Sequence, residues 1–154
     1  MDDVPDSRRR LMANVRSANT KPELIVRSVA HSLGYRYRLH VRSLPGSPDL
    51  VFPRKRKVIF VHGCFWHRHY GCSRTTVPRT RADYWNAKFS ANVTRDAAQV
   101  IALRELGWSV LTIWECETQD LPALQQNISR FISDGVAVCG SRGPDFRKSR
   151  TLPR

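Results

Sequence analysis

Lys57-Val58-Ile59-Phe60-Val61-His62-Gly63-Cys64-Phe65-Trp66-His67-Arg68-His69-Tyr70-Gly71-Cys72 is the stretch whose reading decides the fold. Val58 to Val61 is an unbroken apolar, branched-rich run that stops at His62, the pattern of a buried strand. The next ten residues hold two cysteines and two more histidines, the residue types that ligate metals and move protons, with the adjacent aromatics Phe65 and Trp66 among them. A rigid strand that delivers such side chains at its end keeps them in register.

Working outward toward the N-terminus, Asp49-Leu50-Val51-Phe52 begins a second strand, joined to the first by the basic turn Pro53 to Arg56. Leu44-Pro45-Gly46-Ser47-Pro48 is a turn. Before it, Tyr35, Tyr37, Leu39 and Val41 alternate with basic or polar residues, which predicts a half-buried strand. Thr20-Lys21-Pro22-Glu23 is a helix start: Thr20 as cap, Pro22 in the first turn, Glu23 completing a capping box. Leu24, Ile25, Val29 and Leu33 follow on one face, and Gly34 ends the helix.

Toward the C-terminus, Thr80 and Asp83 can cap a long helix from about Arg81 to Leu106. Trp85, Phe89, Val93, Ala97, Val100 and Leu103 recur on it at helical spacing, and Gly107 stops it. Trp108 to Trp114 reads as another strand and Pro122 to Ile132 as a last amphipathic helix. The order α-β-β-β-α-β, with a closing helix, is a three-stranded meander followed by a helical crossover. It implies an α/β fold with a mixed central sheet flanked by helices.

The chain has 154 residues, enough for one domain with a real core. The expected division is a basic arm over residues 1–19, a domain over 20–138 and a basic tail over 139–154 whose composition is that of disorder. A net charge of +13 and a pI near 10.6 call for a polyanionic partner, and nucleic acid is the commonest. Basic residues also run through the body, as in Arg8 to Arg10 and Arg54 to Lys57. No apolar stretch approaches the ~20 residues that span a bilayer, and the N-terminus has no signal-peptide core. The expectation is a cytoplasmic protein with no membrane partner, in which cysteines serve as metal ligands or free thiols.

Cys64, His69 and Cys72 form C-x4-H-x2-C, with thiolate and imidazole ligands of the kind zinc prefers. If the strand ending at Trp114 lies beside Lys57 to Val61, Cys116 meets the same edge of the sheet and is the natural fourth ligand. Four protein ligands leave no open position, so this zinc would be structural. Asp49 sits one strand before His62, and in a hairpin the two ends lie close. A carboxylate, a backbone carbonyl and histidines there could hold Mg²⁺ and a phosphate. Turn chemistry after Pro48 explains Asp49 equally well, and a strand-end hydrogen bond explains His62.

Leu44 to Asp49, Val58 to His67 and Trp114-Glu115-Cys116 together closely resemble the very short patch repair endonucleases, bacterial DNA mismatch endonucleases of the Vsr type. The match runs from about Arg8 to Cys116. The resemblance implies a restriction-endonuclease-like core with a structural zinc site. The activity it implies is nicking of one strand 5′ to the thymine of a T:G mismatch left by deaminated 5-methylcytosine. On this likeness Asp49 and the Val61 main-chain carbonyl would bind catalytic Mg²⁺, and His67 would activate water or assist at the phosphate. His62 and Glu23 would support the metal waters and the scissile phosphate. Cys64, His69, Cys72 and Cys116 would hold Zn²⁺, and Phe65, Trp66 and Trp85 would wedge into the DNA stack.

A monomer that works on duplex DNA at the nucleoid, with room for repair-pathway protein partners, completes the expectation. One departure stands out: Tyr70-Gly71 occupies a place where better-known members have a single residue, so the loop either absorbs the addition or wraps the ion differently. Two rivals share parts of the pattern. One is a zinc-stabilised DNA-binding module without catalysis, and the other is a nuclease of this fold with a different DNA target. Cys139 reads as a free thiol.

Overall fold

The computed structural model describes residues 19–133. The basic arm (except Asn19), the tail over 139–154 and Cys139 lie outside the described residues. The elements are α1 (Lys21–Ser32), β1 (Arg38–Leu39), β2 (Leu50–Phe52), β3 (Lys57–His62), α2 (Ala82–Glu105), β4 (Ser109–Trp114) and α3 (Leu121–Ser133). The strands form one sheet in the order β1-β2-β3-β4. β1–β2 and β2–β3 are antiparallel and β3–β4 is parallel, the mixed sheet that a meander plus crossover dictates. Among the described residues no helix is long and apolar enough to cross a membrane.

Strand alternation explains why the run at Val58 is apolar throughout. Leu50, Phe52, Ile59, Leu111 and Ile113 face α1 and α3, where they pack with Val26, Ala30, Leu124, Ile128 and Phe131. Val51, Val58, Phe60 and Val110 face the other way, onto Leu103 of α2. With both faces covered, no strand position in the centre is left for a polar residue. The buried polar residues of β3 stand at its two ends, Lys57 and His62. The Lys57 ammonium donates to the carbonyls of Phe131 and Ile132, meeting the unpaired end of α3.

Four sequence expectations are corrected. The strand expected across Tyr35–Val41 shrinks to Arg38–Leu39, both exposed, because Tyr35 and Tyr37 turn inward edge-on against Phe52 at 6.4 and 6.1 Å. Thr20 makes no side-chain cap on α1; its hydroxyl instead donates to Glu23, which takes the N–H of Asn19. α2 takes Arg81 rather than Thr80 or Asp83 as its N-cap, in the left-handed region at φ 56°. Of the apolar stripe on α2 only Phe89 and Leu103 are buried, while Val93 stays largely exposed. The helix is longer than the sheet it covers, and its middle borders a cleft.

Candidate active site and metal centre

The strand register builds the cleft. Leu50 pairs with Ile59 and Val51 with Val58. Extending that register brings Pro48 opposite Val61. Proline has no N–H, so the ladder cannot continue, and the Asp49 carboxylate takes its place: Val61 N–H donates to Asp49 Oδ2 at 2.7 Å. In an extended strand a residue's N–H and C=O point to the same side, so the Val61 carbonyl also faces Asp49 and lacks a ladder donor. An acid and a bare carbonyl thus meet at the point where β2 and β3 part.

Around them lies a cleft of about 470 Å³ lined by Glu23, His40, Asp49, Val61, His62, His67, Asp96 and Gln99, among others. His62 ends β3 and is buried; His67 lies in the loop beyond and stacks on it, with centroids 3.9 Å apart and planes 8° from parallel. His67 Nδ1 is 2.6 Å from Asp96 Oδ2 on α2. Burial, followed by the neighbouring His67, pulls the His62 pKa down to about 4, so this ring is neutral at pH 7. Burial pushes Asp49 up to about 6, with the Glu23 carboxylate adding to the rise, while the Val61 N–H opposes it. A carboxylate held this far above its ordinary range gains from any cation that reaches it.

Glu23 is buried in the first turn of α1, and its oxygens are met by Asn19 N–H, the Thr20 hydroxyl and Arg27 Nη2. Arg27 Nη2 is also 3.0 Å from His40 Nε2. An arginine can only donate, so His40 Nε2 accepts and its proton sits on Nδ1, the atom 3.7 Å from Asp49 Oδ1. His40 reaches this position with φ at 45°, a strained backbone for a residue other than glycine.

Beyond Gly63 the chain wraps a second centre. Cys64 Sγ, His69 Nδ1, Cys72 Sγ and Cys116 Sγ all lie within 4.8 Å of one another. His69 Nδ1 is 3.7 Å from Cys64 Sγ and 3.4 Å from Cys116 Sγ. Two ligands of one tetrahedral zinc, at ordinary bond lengths, stand about 3.5 Å apart. Parallel pairing of His62 with Trp114 brings Cys116 to the loop, and the Trp114 ring stacks on His69 at 4.4 Å. Burial, with the Cys64 thiol close by, pushes Cys116 up to about 12. Thiols this close can all ionise only around a cation, and the donor set fits a closed four-ligand metal centre.

On the other side of the loop, Phe65, Trp66, Trp85 and Phe89 form one aromatic group. Phe65 packs edge-on against Trp66 and Phe89 at 5.1 and 5.2 Å, and Trp66 lies 6.0 Å from Trp85. Phe89 is buried, but Phe65, Trp66 and Trp85 keep part of their surface in solvent. The Arg68 guanidinium lies over Phe89 at 4.0 Å, and Asn92 donates to the Trp66 carbonyl, tying loop to helix.

A profile of the family described as DNA mismatch endonuclease Vsr matches residues 2–74. A type II nicking enzyme of Xanthomonas oryzae pv. oryzae, V.XorIIP, is 52% identical over 128 residues, covering 83% of this chain and 93% of that one. The DNA mismatch endonuclease Vsr of Escherichia coli is 44% identical over 119 residues, 75% of each chain. This chain belongs to the Vsr family.

As a Vsr-family endonuclease it acts on DNA, and the expected residues Glu23, Asp49, Val61, His62 and His67 all line one cleft. Three neighbours escaped the sequence reading. Asp96 is one of three acids on a largely exposed helix, His40 lies in an irregular segment, and Arg27 reads as a solvated helix residue. Only a helix crossing behind β3 could have revealed Asp96. The Tyr70-Gly71 departure from the Vsr pattern is absorbed in a tight turn. Cys72 N–H donates to the His69 carbonyl, and Gly71 takes φ 72° at the position that needs it. Tyr70 is left at the tip, fully exposed.

Proposed function

We propose that this chain nicks one strand of duplex DNA 5′ to the thymine of a T:G mismatch, starting very short patch repair in the bacterial cytoplasm, at the nucleoid. The observation that carries the reading is the convergence of the Asp49 carboxylate, the Val61 carbonyl edge and the His62–His67 stack in one cleft of a Vsr-family chain. Asp49 and the Val61 carbonyl would hold Mg²⁺. When bound, that ion supplies positive charge against the phosphate and the leaving 3′ oxygen.

The rest falls to the chain's own groups. His67 directs Nδ1 at Asp96, which leaves Nε2 as the lone-pair nitrogen to take a proton from the attacking water. His62, neutral, fixes the plane of that ring without adding a competing charge. Glu23 is the outer support: it anchors Arg27, which donates to His40, and would back the metal waters and the scissile phosphate. Phe65, Trp66 and Trp85 would enter the base stack beside the mismatch, where unstacking costs least. Cys64, His69, Cys72 and Cys116 would hold structural Zn²⁺ and so fix the loop that carries Phe65 to His67.

Nicking of otherwise identical matched, T:G and C:A duplexes, with and without Mg²⁺ and with the nick mapped, tests the reading. Magnesium-dependent nicking confined to the T:G duplex is expected. Equal nicking of matched DNA would move the target, and binding without cleavage would remove the enzyme. For the second centre, about one zinc per chain is expected by metal analysis; a zinc-free protein with its loop intact would refute it.

A further inference from the structure

At the other end of β2 lies a second cleft, of about 570 Å³, lined by Gly34 to Arg38 and Phe52 to Lys55. Asp49 precedes β2 and Pro53 follows it, so this cleft and the catalytic one are separated by roughly 13 Å of extended strand. We infer that this cleft is a second DNA-binding site, which takes the phosphodiester backbone of a DNA segment lying outside the catalytic cleft.

The argument starts from how the cations are used. In the run Arg54 to Lys57, two serve the fold. Arg56 donates to the Leu106 carbonyl and lies over Trp108, and Lys57 meets the end of α3. Arg54 and Lys55 do neither. Together with Arg36 and Arg38 they put four exposed cations around one concavity, and no acidic residue lines it. Among the described residues none of the four has an ion-pair partner or a side-chain hydrogen bond, whereas Arg27 and Arg74 both have acids.

Four like charges gathered without counter-charge repel one another, a cost that an arriving polyanion removes. Three of the four are arginines, whose forked donors match phosphate oxygens two at a time. The wall behind them is firm. Tyr35 and Tyr37 are held edge-on by Phe52, and the Tyr37 hydroxyl donates to the Arg27 carbonyl. Aromatic rings interleaved with arginines favour a nucleic-acid strand, with its sugars and bases, over an acidic peptide.

The test uses the full chain carrying Arg36→Gln, Arg54→Gln and Lys55→Gln together, all at exposed positions, with unchanged thermal unfolding as the check on folding. Binding to a matched 40-base-pair duplex is measured without divalent metal over a salt series. Loss of two to three phosphate contacts should flatten the slope of log K against log salt by about 2 and weaken low-salt binding by roughly 10- to 100-fold. Nicking of a short mismatched duplex at saturation should keep its wild-type rate. That arm separates this proposal from the catalytic one, since the slope can change whether or not T:G is the true target. An unchanged salt slope overturns the inference. So does a variant that keeps DNA affinity but loses affinity for polyglutamate, which would assign the cleft to an acidic protein segment instead.

Discussion

Asp49→Asn should make the protein more stable while ending its nicking. Asparagine keeps the shape and an oxygen for the Val61 N–H, so only the charge is removed. Burial raises the Asp49 pKa from an ordinary 3.8 to about 6. A raised carboxyl pKa means that the protonated form suits the fold. Its contribution is whole below pH 3.8 and is lost as pH climbs through about 6. At about 1.4 kcal/mol per tenfold change in proton affinity, the ionised side chain costs the folded state about 3 kcal/mol at pH 8. The asparagine variant escapes that cost, and at roughly 2 to 4 °C per kcal/mol for a chain of this size its melting temperature should rise by about 6 to 12 °C. Thermal unfolding in magnesium-free buffer at pH 8 and at pH 4 is the assay. The gain should be present at pH 8 and largely gone at pH 4, and millimolar Mg²⁺ should narrow it by stabilising the wild type alone. A variant no more stable than wild type at pH 8 would refute the claim that this carboxylate is held under electrostatic strain for a cation.

The remaining predictions concern the same cleft. His62 has the opposite sign: its pKa, lowered from 6.5 to about 4, gives stability that is present above pH 6.5 and lost as pH falls toward 4. His62→Gln should therefore flatten the acid side of a urea-stability profile, by about 3 kcal/mol between pH 7 and pH 4. Asp96→Asn leaves His67 without its carboxylate. It should lower kcat for nicking by roughly 10-fold or more, with duplex affinity nearly unchanged, against about 100-fold for His67→Ala; equal kcat in the asparagine variant would detach Asp96 from the chemistry. Gly46 sits at φ 75°, and a Cβ there would come within 2.7 Å of Gln99 Oε1. Gly46→Ala should cost about 1 to 2 kcal/mol in denaturant titration.

What could be read from sequence was whatever repeats or punctuates. The run Val58 to Val61 announced a buried strand, and helices cover it on both faces. Thiol and imidazole spacing announced a ligand cluster, and the parallel pairing of β3 with β4 brings Cys116 to it. Tyr35 to Val41 misled because alternation alone does not distinguish a paired strand from an edge whose tyrosines are drawn inward by Phe52. The stripe on α2 misled for a related reason. Periodicity tells which face could be buried but not how much lies opposite, and among the described residues Val93 is left 45% exposed.

The side chains that escaped notice share a cause. Asp96, His40 and Arg27 each act on a partner far away in the chain, across 29 residues in the case of His67 and Asp96 and 13 in that of Arg27 and His40. A carboxylate on a polar helix face looks solvated until a strand end is laid against it. Local pattern therefore finds the groups that strands and tight loops present to the cleft in order. Groups that set the tautomer and tilt of those residues come from whichever helix passes behind. Pro48 joins the two levels. As a turn residue it is plain in the sequence, yet its effect appears only in register with Val61, where a missing N–H ends the ladder and leaves a strand carbonyl beside Asp49.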